Sequence, residues 1–251
     1  MTPKSRVIRL EKNGPDGLGL APLALEEGDF QSPLPVQHYH EYFADEDLGI
    51  SVGIWDTTTM QEVFGPYSTD EFIVVLDGAF QMVDGDGRST SGGAGESVCF
   101  RAGAPMSWKQ DGYLKKFYFT WENQAALEAP LDSAARATRV LDSNITLERM
   151  ETTAPFVIAG TPPEQRNHTL FTNDAENFFV GTWETGPMLS EMRPFPSYEF
   201  VRLLEGEITI TEENGTEQSF GPGDCFFVPK GTVCSWSITG RVRKHYAILD
   251  I

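Results

Sequence analysis

Basic residues are few: 19 Lys and Arg stand against 37 Asp and Glu, a formal net charge of −18. That balance excludes nucleic acid as a partner, because such binding rests on Lys and Arg neutralising phosphates. It equally excludes anionic membrane surfaces. Long apolar runs are missing too. No stretch approaches the ~18 residues a membrane span needs, and Met1–Leu10 carries charge but no apolar run of signal-peptide length. Cysteine is limited to 3 residues in 251, an odd number unsuited to a disulfide scaffold. Reduced thiols in a cytoplasmic protein are the expectation. Phosphate-cradling glycine loops, Gly-x-Ser-x-Gly elbows and Cys-x-x-Cys pairs are all absent. The chain is nevertheless not built for disorder, with 40% apolar and only 22% charged residues.

What is present is a sequence stated twice. Asp70-Glu71-Phe72-Ile73-Val74-Val75-Leu76-Asp77-Gly78 reappears as Tyr198-Glu199-Phe200-Val201-Arg202-Leu203-Leu204-Glu205-Gly206, and 199 − 71 = 128. The same offset pairs Trp55 with Trp183, Trp108 with Trp236, Lys116 with Lys244 and Tyr118 with Tyr246. About 22 of roughly 83 aligned positions are identical, which marks a duplicated domain. Cys99, Cys225 and Cys234 do not occupy matching positions. The expected organisation is an N-terminal arm over 1–36, a first repeat over 37–121, a linker with short helices over 122–163, and a second repeat over 164–251.

Within each repeat, short apolar runs alternate with turn chemistry at the spacing of an all-β sandwich or barrel. Asp86-Gly87 and Asn214-Gly215 predict tight hairpins, since these residues tolerate positive φ. Glu199, Val201 and Leu203 share one strand face and Glu71 opens the same face in the first copy. The opposite face of the first copy is Phe72, Val74 and Leu76, wholly apolar. It requires cover by the other repeat or by a second copy of the chain in a homodimer.

Several motifs here resemble a known family. Glu199 to Gly206, followed by Gly223 to Pro229-Lys230-Gly231, has the skeleton of the two cupin motifs. Glu71 to Gly78 and Gly95 to Arg101-Ala102-Gly103 repeat it, with Arg101 replacing the proline. The flanking Gly-x-Trp-(Asp/Glu)-Thr, Ser-Trp and (Lys/Arg)-Lys-x-Tyr patterns are similar to the cupin 3 subfamily, which includes ureidoglycine aminohydrolase-like proteins. The resemblance implies two tandem cupin (RmlC-like jelly-roll) β barrels with few short helices.

It also implies a metal site that these residues lack. Better-known cupins place His-x-His shortly before the first-motif Glu and another His after the second-motif Gly. Here the first pair falls on Phe64 and Pro66 or on Gly65 and Tyr67, and in the second copy on Met192 and Pro194 or on Arg193 and Phe195. The third histidine is Met106 in one copy and Cys234 in the other. No cofactor is therefore expected, although the family's transition metal stays an open alternative. His38 and His40 share a strand face in the run before the barrel, where a structural or interface role is expected.

The remaining candidates are for ligand binding. Glu71 and Glu199 recur without histidine partners, and a buried carboxylate needs a countercharge such as Lys116 or Lys244. With Trp55, Trp108 and Met106 in the first copy, and Trp183, Trp236, Tyr246 and Cys234 in the second, they would form aromatic-walled anionic pockets. The complete Pro-Lys-Gly corner predicts the second barrel as the better-formed site, with Glu199 and Cys234 in one cavity. Two functions follow. One is a metal-free bicupin binding a small polar, amine-containing metabolite as sensor or accessory protein. The other is a metal-dependent enzyme similar to ureidoglycine aminohydrolase, acting on a small nitrogen compound with Glu199 as base.

Overall fold

The computed structural model describes residues 6–128, 137–153 and 155–251. They form two compact units, one of Leu10–Leu141 and one combining Met1–Arg9 with Asp142–Ile251. Each unit is a jelly roll of two antiparallel sheets, and the only α-helix among the described residues is the single turn Gln124–Glu128. The other helices expected in the linker fall partly on residues 129–136, outside the described residues.

In the first unit, a sheet of seven strands runs in the order Thr138–Val140, Ser97–Phe100, Asp70–Asp77, Leu114–Trp121, Ile50–Thr57, Gln37–Asp45, Ala21–Pro22. It faces a smaller sheet of Met60–Gln61, Pro105–Gln110, Ala79–Asp84 and Ser89–Gly93. The second unit repeats this order, its large sheet centred on Tyr198–Glu205 between Cys225–Val228 and Val242–Leu249. The chain's first residues belong there: the Val7 amide donates to Glu212, and Arg9 pairs with Asp224 at 3.0 Å. The stretch 1–36 is thus divided between the units.

The alternation read from the sequence fixes the cores. Ile73 and Val75 point into the first barrel with Phe80, Phe100 and Trp108. Val201 and Leu203 point into the second with Phe226 and Trp236. Both predicted hairpins form, with Gly87 and Gly215 at φ 77° and 83°. The strand Cys225–Val228 stops at Pro229, which has no ladder donor. Gly53 and Gly181 are a shared necessity. A Cβ on either would lie within 2.6 Å of the hydroxyl of Tyr118 or Tyr246, so the glycine makes room for that tyrosine, its cross-strand partner, to lie over it.

Candidate functional site

Each barrel is threaded by one buried ion pair. Lys116 donates to Glu71 at 2.8 Å in the first, and Lys244 to Glu199 at 2.7 Å in the second. In each barrel the two residues lie on neighbouring strands of the large sheet, the lysine opposite Val75 or Leu203, four residues along from its glutamate, and the same pairing in both copies makes the ion pairs obey the repeat. Each ammonium also lies over tryptophan faces, Lys116 at 5.0 and 4.7 Å from Trp55 and Trp108, Lys244 at 4.7 and 4.6 Å from Trp183 and Trp236. Burial pulls the Lys244 ammonium below its usual range, and Glu199 pulls it back.

Around these matching pairs the barrels differ. In the first, the Tyr67 hydroxyl donates to the second oxygen of Glu71. The second copy has Phe195 at that position, and Glu199 Oε2 is buried with no hydrogen-bond partner. Likewise Trp108 donates to Gln110 at 2.8 Å, whereas Ile238 replaces that glutamine, and Trp236 Nε1 loses the equivalent acceptor. Burial, reinforced by Glu71 and Glu62, holds the Tyr67 phenol well above its usual pKa, so it remains a donor.

The larger cavity lies in the first barrel, about 330 Å³, not in the second as the complete corner motif predicted. Trp55, Trp108, Tyr39 and Tyr118 give it aromatic walls, Leu23 and Met60 add apolar surface, and Gln37, Glu62, Tyr67 and Lys116 supply its polar groups. Gln37 is fixed by accepting from Trp55 at 3.1 Å. Glu71 itself stands behind Tyr67 and Lys116 rather than on the wall, and Met106 is packed in the core.

Glu62 is the residue the sequence reading missed. It follows the short strand Met60–Gln61 and is held by backbone bonds to Trp108 and Asp29 neighbours: its amide donates to Trp108, and the Val63 amide donates to Asp29. Its carboxylate is on the cavity wall without a hydrogen-bond donor among the described residues. Desolvation raises it to about 7, Lys116 opposes the rise, and Glu71 and Asp29 add to it. One signal was available in the sequence: the second copy has Ser190 where the first has Glu62, a carboxylate the fold does not require.

The second barrel is divided. A cavity of about 90 Å³ is bordered by Glu199, Lys244, Trp183 and Tyr246, and one of about 140 Å³ by Ser190, Phe195, Cys234 and Trp236. Phe156 borders both. Its ring lies 5.0 Å from Trp236, 5.9 Å from Trp183 and 6.1 Å from Phe195, with Lys244 Nζ 5.8 Å away. Glu199 and Cys234 therefore do not share the single cavity expected of them. Burial pushes the Cys234 thiol up to about 11, which leaves it a poor nucleophile.

The donor set does not fit a divalent metal. Each motif glutamate already holds an ammonium, and the histidine positions carry exposed Phe64 and Met192, with Met106 and Cys234 at the third. Among the described residues no three His, Cys, Asp or Glu side chains converge. His38 instead pairs with Asp56 at 2.8 Å, and His40 packs edge-on against Tyr42. His245 is wholly buried, and desolvation with Arg202 and Arg243 nearby lowers it to about 3, so it stays neutral. No helix among the described residues is long and apolar enough to cross a membrane.

Residues 172–246 match the model of the EutQ-like cupin domain. No curated protein matches the chain in sequence. A solved protein of unknown function of the DUF861 family from Pseudomonas syringae pv. tomato is 26% identical, with a TM-score of 0.77 over 97% of this chain and 99% of its own. A glyoxylate-induced protein from Pseudomonas aeruginosa is similar at 12% identity and TM-score 0.59, covering 98% of this chain and 90% of that one. The DUF861 protein Ylba from E. coli is similar at 11% identity and TM-score 0.55, covering 99% and 92%. The chain has the cupin fold, as two jelly rolls of one design.

Proposed function

We propose that this protein binds a small polar metabolite carrying a protonated nitrogen, in the first barrel, as a sensor or accessory protein. The observation that carries this reading is Glu62. It is a carboxylate on the wall of an aromatic cavity, without a hydrogen-bond donor, beside a second carboxylate that already has two. When Glu62 ionises, two carboxylates face one ammonium and the cavity is net negative. A cationic nitrogen restores the balance and finds tryptophan and tyrosine faces suited to cation–π contact. Each motif glutamate is ion-paired to a lysine, and among the described residues no three His, Cys, Asp or Glu side chains converge, so the reading is metal-free. Elemental analysis of protein purified without chelator should find no stoichiometric transition metal, and a stoichiometric one would contradict that part.

The binding part is tested by thermal denaturation with propylamine and with propionate. The amine should raise the melting temperature by mass action on the native state, the acid should not, and Glu62→Gln should abolish the effect. An unchanged response in Glu62→Gln would overturn the assignment.

A second reading rests on the same residue. A carboxyl near 7 beside an ion-paired carboxylate is an arrangement for general acid–base catalysis. In that case the protein is an enzyme acting on a small nitrogen compound, as in ureidoglycine aminohydrolase-like proteins, with Glu62 rather than Glu199 moving the proton. Release of ammonia from small ureido or amino compounds, lost in Glu62→Gln, distinguishes it from binding alone.

A further inference from the structure

The two barrels differ in what borders their cavities. The straps that cross the two barrel mouths are equivalent by their hydrogen bonds. The Leu23 amide donates to Gln37 as Met150 does to Gln165. The Val63 amide donates to Asp29 as Glu191 does to Val157. Phe30 bridges Glu62 as Ile158 bridges Ser190. The offset is 128 at Asp29 and Val157 but 150 − 23 = 127 at Leu23 and Met150, so the second strap is one residue longer, and Gly28 and Phe156 are the residues just before the matched pair.

The consequence is visible in the cavities. Trp55, Lys116 and Tyr118 border the first barrel's cavity, and their counterparts Trp183, Lys244 and Tyr246 border one compartment of the second. Glu62, Tyr67 and Trp108 border the same first cavity, and their counterparts border the other compartment. One space in the first barrel is two in the second, and Phe156 stands between them. At Gly28 a Cβ would meet no atom within 4 Å, and its φ lies outside the positive range that excludes side chains. Gly28 is exposed and adds nothing to the first cavity's wall, whereas Phe156 is buried and borders both compartments of the second barrel.

We infer that Phe156 occupies, as a built-in plug, the position that an apolar ring of the ligand takes in the first barrel. This deepens the reading above and rests on it for the amine: the ligand class becomes a small amine bearing a planar apolar ring, with the nitrogen at Glu62 and the ring against the cavity-facing sides of Trp55 and Trp108, which meet edge-on at 6.2 Å.

Calorimetric titration with benzylamine, propylamine and toluene tests it. Wild type should bind benzylamine at least about tenfold more tightly than propylamine, the gain expected from burying a ring of this size. Gly28→Phe, a change on an exposed strap, should erase that advantage. Phe156→Ala should gain a toluene site that wild type's second barrel lacks, with Glu62→Gln added to silence amine binding in the first. Equal affinities for the two amines in wild type, or an undiminished ring advantage in Gly28→Phe, would overturn the inference. So would a folded Phe156→Ala, by circular dichroism, that gains no toluene site. Should wild type bind neither amine, the amine reading falls, and the toluene result alone decides whether Phe156 is a plug. Should Phe156→Ala not fold, the Gly28→Phe comparison decides.

Discussion

Tyr67 and Phe195 occupy the same place in the two barrels, and the difference is one hydroxyl with a measurable consequence. Where Tyr67 donates to Glu71, Phe195 leaves Glu199 Oε2 buried without a partner. A buried acceptor left unsatisfied costs more than a made bond contributes. Phe195→Tyr should therefore stabilise the protein by about 1 kcal/mol, read as a higher urea midpoint with unchanged slope. A loss of stability would mean that the second barrel has no room for the hydroxyl.

The buried ion pairs should not be equal either. Lys244 and Glu199 side chains are 3% and 1% exposed, while Lys116 and Glu71 are 10% and 4% exposed, with Lys116 on the wall of the larger cavity. Removing one partner of a buried pair strands the other charge, at about 3–5 kcal/mol. Lys244→Met should approach that cost. Lys116→Met should cost less, because Glu71 keeps Tyr67 and lies near the cavity. Chemical denaturation of the two variants checks the order.

Stability should carry the signature of Glu62. Its folded pKa is raised to about 7 from 4.5, so the native state holds a proton that the unfolded chain has lost across that window. The contribution of this group is therefore present below about pH 4.5 and declines as pH rises to about 7, after which it is flat. Glu62→Gln should remove the decline, so the variant gains on wild type more at pH 8 than at pH 5. Parallel stability–pH curves for the two proteins would contradict this.

The fold was readable because duplication prints each strand twice. The offset of 128 and the period-two alternation at Glu71, Ile73 and Val75 sufficed to place barrel interiors. The ion pairs were readable for the same reason, as Lys116 and Lys244 recur with their glutamates. The cavity was legible only in part, through the repeated Trp55, Trp108 and Lys116, because its other polar groups lie where the copies disagree. Attention to repeated residues points away from Glu62, whose counterpart is Ser190, and from Tyr67, whose counterpart is Phe195. The corner proline favoured the second barrel, but corner stiffness does not decide whether a barrel is open. The space in the second barrel is instead bordered on both sides by Phe156, in a strap with no strand pattern that backbone bonds bring opposite Glu191 and Ser190.

If Glu62 receives the ligand's cation, amine affinity should follow its ionisation. Binding should strengthen from pH 5.5 to pH 8, a range in which propylamine stays protonated, and Glu62→Gln should lose the dependence. Affinity that is flat or falls with pH would place the cation elsewhere.

The most direct measurement is calorimetric titration of the protein with propylamine at pH 6.5 in two buffers of different ionisation enthalpy. Below about 7 Glu62 holds a proton, and a bound cation expels it. The account predicts net proton release on binding at pH 6.5, falling towards zero by pH 8, and neither release nor binding in Glu62→Gln. Binding without proton release, or release that persists in Glu62→Gln, would contradict it.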